Sequence, residues 1–254
     1  MPSWPVRPVP IDNVKFDLNC DLGENEPRQR TEKLLRYVTS ANIACGGHAG
    51  TVQAMKFAVK LAGERGVKIG AHPGLADRQN FGRVAAPLTA GELKLLLVHQ
   101  VSALEKIANS AGGLLHHIKL HGALYHMVEN QTPLLQAYLE VVKEFWADCV
   151  VIGLAGGRTI AEAAKAGLKV WPEGFLDRAY LDALHLVPRE QAGAIIEAEE
   201  FDERIESIMG DGTVRGMRSN RRFRISAKTW CIHSEGVNAV RSARKARHYF
   251  SEIR

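Results

Sequence analysis

The sequence reads as an α/β protein with about seven β–α units on one parallel sheet, either open or closed into a barrel. Strand-like and helix-like segments alternate along the chain, and no linker-like stretch interrupts them. In addition, polar and charged residues recur at one place in each unit, the C-terminal end of the strand or the loop after it. Ligands bind at that edge in parallel α/β folds, because the βα loops converge there. At 254 residues, 46% apolar and 24% charged, the chain is long enough to bury a substantial core. The proline-rich residues 1–13 have no apolar core of a signal peptide and read as an irregular arm. Residues 14–254 then form a single domain.

"VKFDLNC" (14–20) is the first strand and "TEKLLRYVTSA" (31–41) the first helix. "NIAC" (42–45) precedes an amphipathic helix, "TVQAMKFAVKLAGERG", that Gly66 ends as a C′ residue. "VKIGAH" is the third strand. The long helix from Thr89 opens with Thr89 as N-cap and Glu92 three residues on, a capping-box pattern. "LLHHIKLH" (114–121), helix 131–147, strand "CVVIGLA", helix 158–167 and strand "LKVWPE" follow. A helix is expected over 188–209, then a polar Gly/Arg-rich connection, the last strand "KTWCIHSE" (228–235) and a basic helix.

Composition narrows the function classes. No run of 18 apolar residues suggests a membrane span. Four distant cysteines without a C-x-x-C pair fit a reduced, cytoplasmic protein. Residues 215–254 carry eleven Lys/Arg against two acidic residues. That segment lacks the interleaved aromatics and motif spacings of nucleic-acid binders, so no nucleic-acid partner is expected and a solvated helix face is.

Residues two apart on a strand share a face, so Lys119 and His121 project into a site at the strand end. Asp17, Asn19 and Asp21 share a face by the same rule, with Glu24 beyond Gly23. Carboxylates this close repel unless a cation, a lysine or a shared proton intervenes, which suits a metal or general acid/base work. Asp21, His48 and His72 form one candidate divalent-metal set. "GLAGGRT" (153–159) is either a tight βα turn or an anion-binding helix start. No G-x-x-x-x-G-K-[ST], G-x-G-x-x-G after a strand or G-x-S-x-G is present, so the chain has no nucleotide fingerprint or nucleophile elbow of its own.

"DLNCDLGE", "SANIACGGHAG", "GVKIGAHPG…FGR", "HHIKLHGALY" and "EGFLDRAY" resemble, in order and spacing, the LamB/YcsF family over residues 14 to 250. The resemblance implies a (β/α) barrel of seven units, related to glycoside hydrolase/deacetylase barrels. It also implies ATP-dependent cleavage of 5-oxoproline to glutamate with two partner subunits, ATP being the co-substrate. On that reading Asp21 or Glu173 activates water, and Lys119 with His121 stabilises the oxyanion or protonates the leaving nitrogen. Arg83 or Arg178 would hold the substrate carboxylate. Asn19, Glu24, Asn42 and Asp177 complete the substrate-binding set. The chain departs from the family pattern at Gly47, Thr51, Leu120, His126, Ala183, Pro188, Ser234 and Glu235, all expected at the rim. A stand-alone metal-dependent deacetylase and a non-catalytic small-acid binder are the alternatives, and a homo-oligomer stays open.

Overall fold

The computed structural model describes residues 16–197, 199–219 and 221–252; the arm expected at 1–13 lies outside them. The first six strands are Asp17–Leu22 (β1), Ser40–Ala44 (β2), Lys68–His72 (β3), Leu115–Lys119 (β4), Val150–Leu154 (β5) and Lys169–Phe175 (β6). After a two-stranded antiparallel excursion (β7, Thr213–Arg215; β8, Arg222–Arg224) comes Thr229–His233 (β9). β9 pairs in parallel with both β6 and β1, and this closes a seven-stranded barrel.

Eight helices are described: Arg28–Leu34 (α1), Val52–Glu64 (α2), Ala90–Ser110 (α3), Gly122–Asn130 (α4), Thr132–Phe145 (α5), Arg158–Lys165 (α6), Glu200–Gly210 (α7) and Ala239–Glu252 (α8). None is long and apolar enough to cross a membrane. Strand alternation sorts the barrel. Leu18, Cys20 and Leu22 of β1 and Trp230 and Ile232 of β9 are buried in the hydrophobic core. The opposite parity carries Asn19, Asp21, Asn42, His117, Lys119 and Thr229, which are buried and bonded to one another inside the barrel. The interior is therefore polar where most parallel sheets are apolar on both faces. Gly70 makes room for this. A Cβ there would lie 1.9 Å from His117 Nε2, so a larger residue would expel the imidazole from the barrel.

Local signals hold the helices as expected. Thr89 Oγ1 accepts from Glu92 N at 3.2 Å while Glu92 Oε2 accepts from Thr89 N at 2.8 Å, completing the capping box of α3. Thr51, one of the rim departures, caps α2 by accepting from Ala54 N at 3.1 Å. Gly66 has φ 67°, the left-handed conformation that ends α2. The backbone donors that open α6 face Glu129, whose Oε2 accepts from Thr159 N at 3.0 Å and whose Oε1 takes Arg158 N. The glycine-rich stretch 153–159 is thus a tight turn whose anion is the chain's own.

Two expectations are corrected. The first helix runs over 28–34, earlier than 31–41, because Ser40 and Ala41 are drawn into β2 beside β1. The helix expected over 188–209 begins only at Glu200. Gly193, at φ 77°, breaks it, and Val187 and Ala194 turn inward to pack with Ala179 in a small core of their own. The Gly/Arg-rich connection contains β7 and β8.

Candidate functional site

Lys119, at the end of β4, is 3% exposed, and its Nζ donates to Asp21 Oδ1 at 2.8 Å. Glu173 Oε1, from β6, lies 2.9 Å from the same nitrogen as an ion pair outside hydrogen-bond geometry. Burial alone would favour the neutral amine, but Asp21 above all outweighs it and pushes the Lys119 pKa well up. Asp21 is the mirror case. Burial works against its charge, yet His72 and Lys119 hold its carboxyl well below the usual range. Asn42 Nδ2 donates to Asp21 Oδ1 at 2.7 Å and to Asn19 Oδ1 at 2.8 Å, fixing the carboxylate from beneath. Tyr125 OH donates to Glu173 Oε2 at 3.2 Å. Cys231 Sγ lies 3.1 Å from Lys119 Nζ.

Beside this floor, three imidazoles surround Glu24. Its Oε1 lies 2.9 Å from His48 Nε2, 3.0 Å from His121 Nδ1 and 3.4 Å from His72 Nε2. Two tautomers follow from backbone carbonyls, which only accept. His72 Nδ1 donates to Lys119 O at 2.8 Å, and His121 Nε2 donates to Phe81 O at 2.9 Å. Phe81 stands at φ 55°, a left-handed conformation that costs about 1 kcal/mol and aims this carbonyl inward. The remaining nitrogens, His72 Nε2 and His121 Nδ1, face each other at 3.0 Å. Two lone pairs cannot share that gap without a cation between them. In the bare chain it is a proton: burial opposes it, but Asp21 raises His72 to about 9, whereas burial drops His48 to about 4 and lowers His121.

Glu24, His48, His72 and His121 present ligand atoms all within 4.8 Å of one another, a set that could hold a metal ion. Ring nitrogens that donate to backbone carbonyls, with the opposite nitrogens converging, are the usual outer support of metal-binding histidines. His48 Nδ1 is buried without a partner, so that ring can shift its proton outward and offer Nε2. Asp21 falls instead in a second group with Cys231 and His233.

On β9, His233 donates from Nδ1 to Asp177 Oδ1 at 3.0 Å, and its backbone N–H donates to Asp177 Oδ2 at 2.8 Å. Nε2 is thereby left as the accepting nitrogen, 3.9 Å from Asp21 Oδ2. A cavity of about 330 Å³, of small-molecule size, opens above. Asp21, His72, Lys119, His121 and His233 line its depth, and Arg83, Arg178 and Arg189 its upper wall.

The sequence-derived residues thus meet at one barrel end but occupy different layers. Asp21, His72, Lys119, His121, Arg83 and Arg178 line the cavity; Asn19 and Asn42 lie fully buried among the interior polar groups, while Glu24, His48, Glu173 and Asp177 lie outside the cavity lining and in contact with residues that do line it. Arg178 donates to Val187 O at 2.6 Å and Ala194 O at 3.3 Å and so holds the irregular 179–196 segment over the site. Sequence reasoning assigned no role to Tyr125, Arg189 or His233; the polar strand-end rule had a signal for His233 alone.

The model of the LamB/YcsF family matches residues 16–253. The 5-oxoprolinase A-subunit of Bordetella pertussis is 41% identical over 92% of this chain and 94% of its own. The protein of the same name from Pyrococcus furiosus is 38% identical over 89% and 90%. The crystal structure of a "lactam utilization protein" from Thermus thermophilus superimposes with a TM-score of 0.84 at 35% identity, covering 94% of this chain and 97% of that one.

Proposed function

The chain belongs to the LamB/YcsF family, and from that membership we propose that it is the lactam-opening subunit of an ATP-dependent 5-oxoprolinase, converting 5-oxo-L-proline to L-glutamate with partner subunits. The observation that carries this reading is a buried lysine locked between two carboxylates at the floor of a small-molecule cavity, beside a carboxylate-oriented histidine. An unstrained lactam is a poor electrophile, so ATP coupling is chemically reasonable. The chain lacks a phosphate-binding loop, and ATP is assigned to the two partners.

Water attacks the lactam carbonyl carbon. His233 Nε2, its tautomer fixed by Asp177, accepts the water proton. Asp21, held well below the usual carboxylate range, is a weak base; it anchors Lys119 and orients the water. Lys119 stabilises the oxyanion as the carbonyl turns tetrahedral. When the C–N bond breaks, His233 returns the water's proton to the ring nitrogen, and the free amine of glutamate forms. Glu173 holds Lys119 from the other flank. A divalent cation held by Glu24, His48, His72 and His121 would supply carbonyl polarisation or a more acidic water.

The test is glutamate formation by the reconstituted complex with Lys119→Met and Asp21→Asn. Both are expected to lose activity by about a hundredfold or more, and unchanged turnover would sink the assignment. The imidazole cluster also favours a second reading, a metal-dependent amidohydrolase acting alone. That reading requires activity without ATP or partners and its loss on chelation.

A further inference from the structure

At the cavity mouth, three segments distant in sequence meet on one oxygen. Glu235, in the turn between β9 and α8, accepts at Oε1 from Arg83 Nη2 at 2.6 Å, and Arg189 Nη1 donates to the same atom. Arg83 comes from the β3–α3 connection and Arg189 from the long segment between β6 and α7. Both line the cavity, whereas Glu235 lines a recess beside it. Arg83, Arg189 and Glu235 side chains are 31%, 22% and 42% exposed, so an incoming solute reaches them. Among the described residues neither guanidinium makes another hydrogen bond, which leaves further N–H donors on each fork. Two guanidinium groups on one carboxylate also leave a net positive charge. The crowding shows at Arg178, which burial first, and Arg189 after it, lowers to about 10.

We infer that Arg83 and Arg189 are the carboxylate-recognition pair for a small acid substrate, and that Glu235 is a built-in competitor, holding the pair in shape until the acid takes its place. The inference deepens the proposed function and rests on its small-acid substrate. Guanidinium forks match carboxylates bidentately, and charged hydrogen bonds of this kind are stronger than neutral ones. Glu235 is already the guest that such a pair would select. A surface strap alone would not need both its cations on the cavity wall.

The test titrates the full-length chain with three ligands: 5-oxoproline, cyclopentanecarboxylate, which keeps the carboxylate without the lactam, and 2-pyrrolidinone, which keeps the lactam without the carboxylate. Arg189→Gln is expected to weaken both acids by about tenfold or more while leaving pyrrolidinone unchanged. Glu235→Gln is expected to tighten both acids several-fold and again leave pyrrolidinone alone. Opposite signs from the two variants separate recognition from loss of a strap, which would move all ligands the same way. The inference is overturned if Glu235→Gln weakens the acids or leaves them unchanged, if Arg189→Gln weakens pyrrolidinone equally, or if no carboxylate binds either protein. Should cyclopentanecarboxylate follow the expected pattern while the complex releases no glutamate from 5-oxoproline, the lactam reading fails and the carboxylate site stands. A complex that releases glutamate with the same KM in both variants removes the carboxylate site alone.

Discussion

Two clusters lie side by side at the top of this barrel, and they balance charge in opposite ways. Around Lys119 the chain supplies its own cation: one ammonium between Asp21 and Glu173, with Asn42 bonding to Asp21 from below. Around Glu24 it supplies lone pairs. Three imidazoles, two of them with fixed tautomers, converge with a carboxylate, and a single proton on His72 fills the gap. A cluster that is complete without help is a preorganised electrostatic tool. A cluster of converging lone pairs is a set that could hold a metal ion.

The largest effect is expected from removing the internal cation. Lys119→Met leaves two buried carboxylates facing each other, and breaking a buried pair this way costs about 3–5 kcal/mol. Urea denaturation should register that loss, whereas Lys119→Met with Asp21→Asn should recover part of it. If the single variant is as stable as the parent, the ion pairs are not what neutralises the floor.

Removing a ligand from the second cluster should cost less in the bare protein and more in the presence of metal. A divalent ion at a hundred times its Kd stabilises by about 2.7 kcal/mol through mass action. Zn²⁺ should therefore raise the Tm of the chelator-treated parent. His121→Ala should abolish the rise, and Asp177→Asn, outside the cluster, should keep it. An equal rise in His121→Ala would place the ion elsewhere.

The smallest difference is in pH. His48 sits at about 4, below an ordinary unfolded value of about 6.5, so the unfolded chain binds a proton that the native ring refuses. Stability is then lost as pH falls from about 6.5 toward 4. His72 sits at about 9, so its contribution is full below about 6.5 and lost as pH rises through 9. Metal-free protein should be most stable near pH 6.5, and His72→Gln should erase the alkaline decline. The Lys119 cluster adds no slope there, since Asp21 is lowered and Lys119 raised. A flat profile from pH 5 to 9 would mean the imidazoles share no proton in this way.

Strand alternation made the two clusters partly legible in the sequence. It put Asp21, Lys119 and His121 at one edge, because side-chain parity is a local property. It did not separate Glu24 from Asp21 as the carboxylate among the imidazoles, because Gly23 turns the chain at φ 74° and parity ends there. Closure was legible through the family resemblance and not through parity. Parity says which face a residue takes, not that β9 pairs with both β1 and β6. Arg178 was legible as a cation at the cavity, which it lines, but its bonds from Nη2 and Nε to the carbonyls of Val187 and Ala194 were not, because an irregular segment continues where a helix was expected from residue 188. Arg189 lies on that same segment and was hidden for the same reason.

The most direct measurement is glutamate release from 5-oxoproline and ATP by this chain mixed with partner subunits, each component omitted in turn. Lactam opening at the Lys119 floor requires release only when this chain is present, and its collapse with Lys119→Met in a folded complex. Release by the partners alone, or none from partners shown competent with another family member, would contradict it.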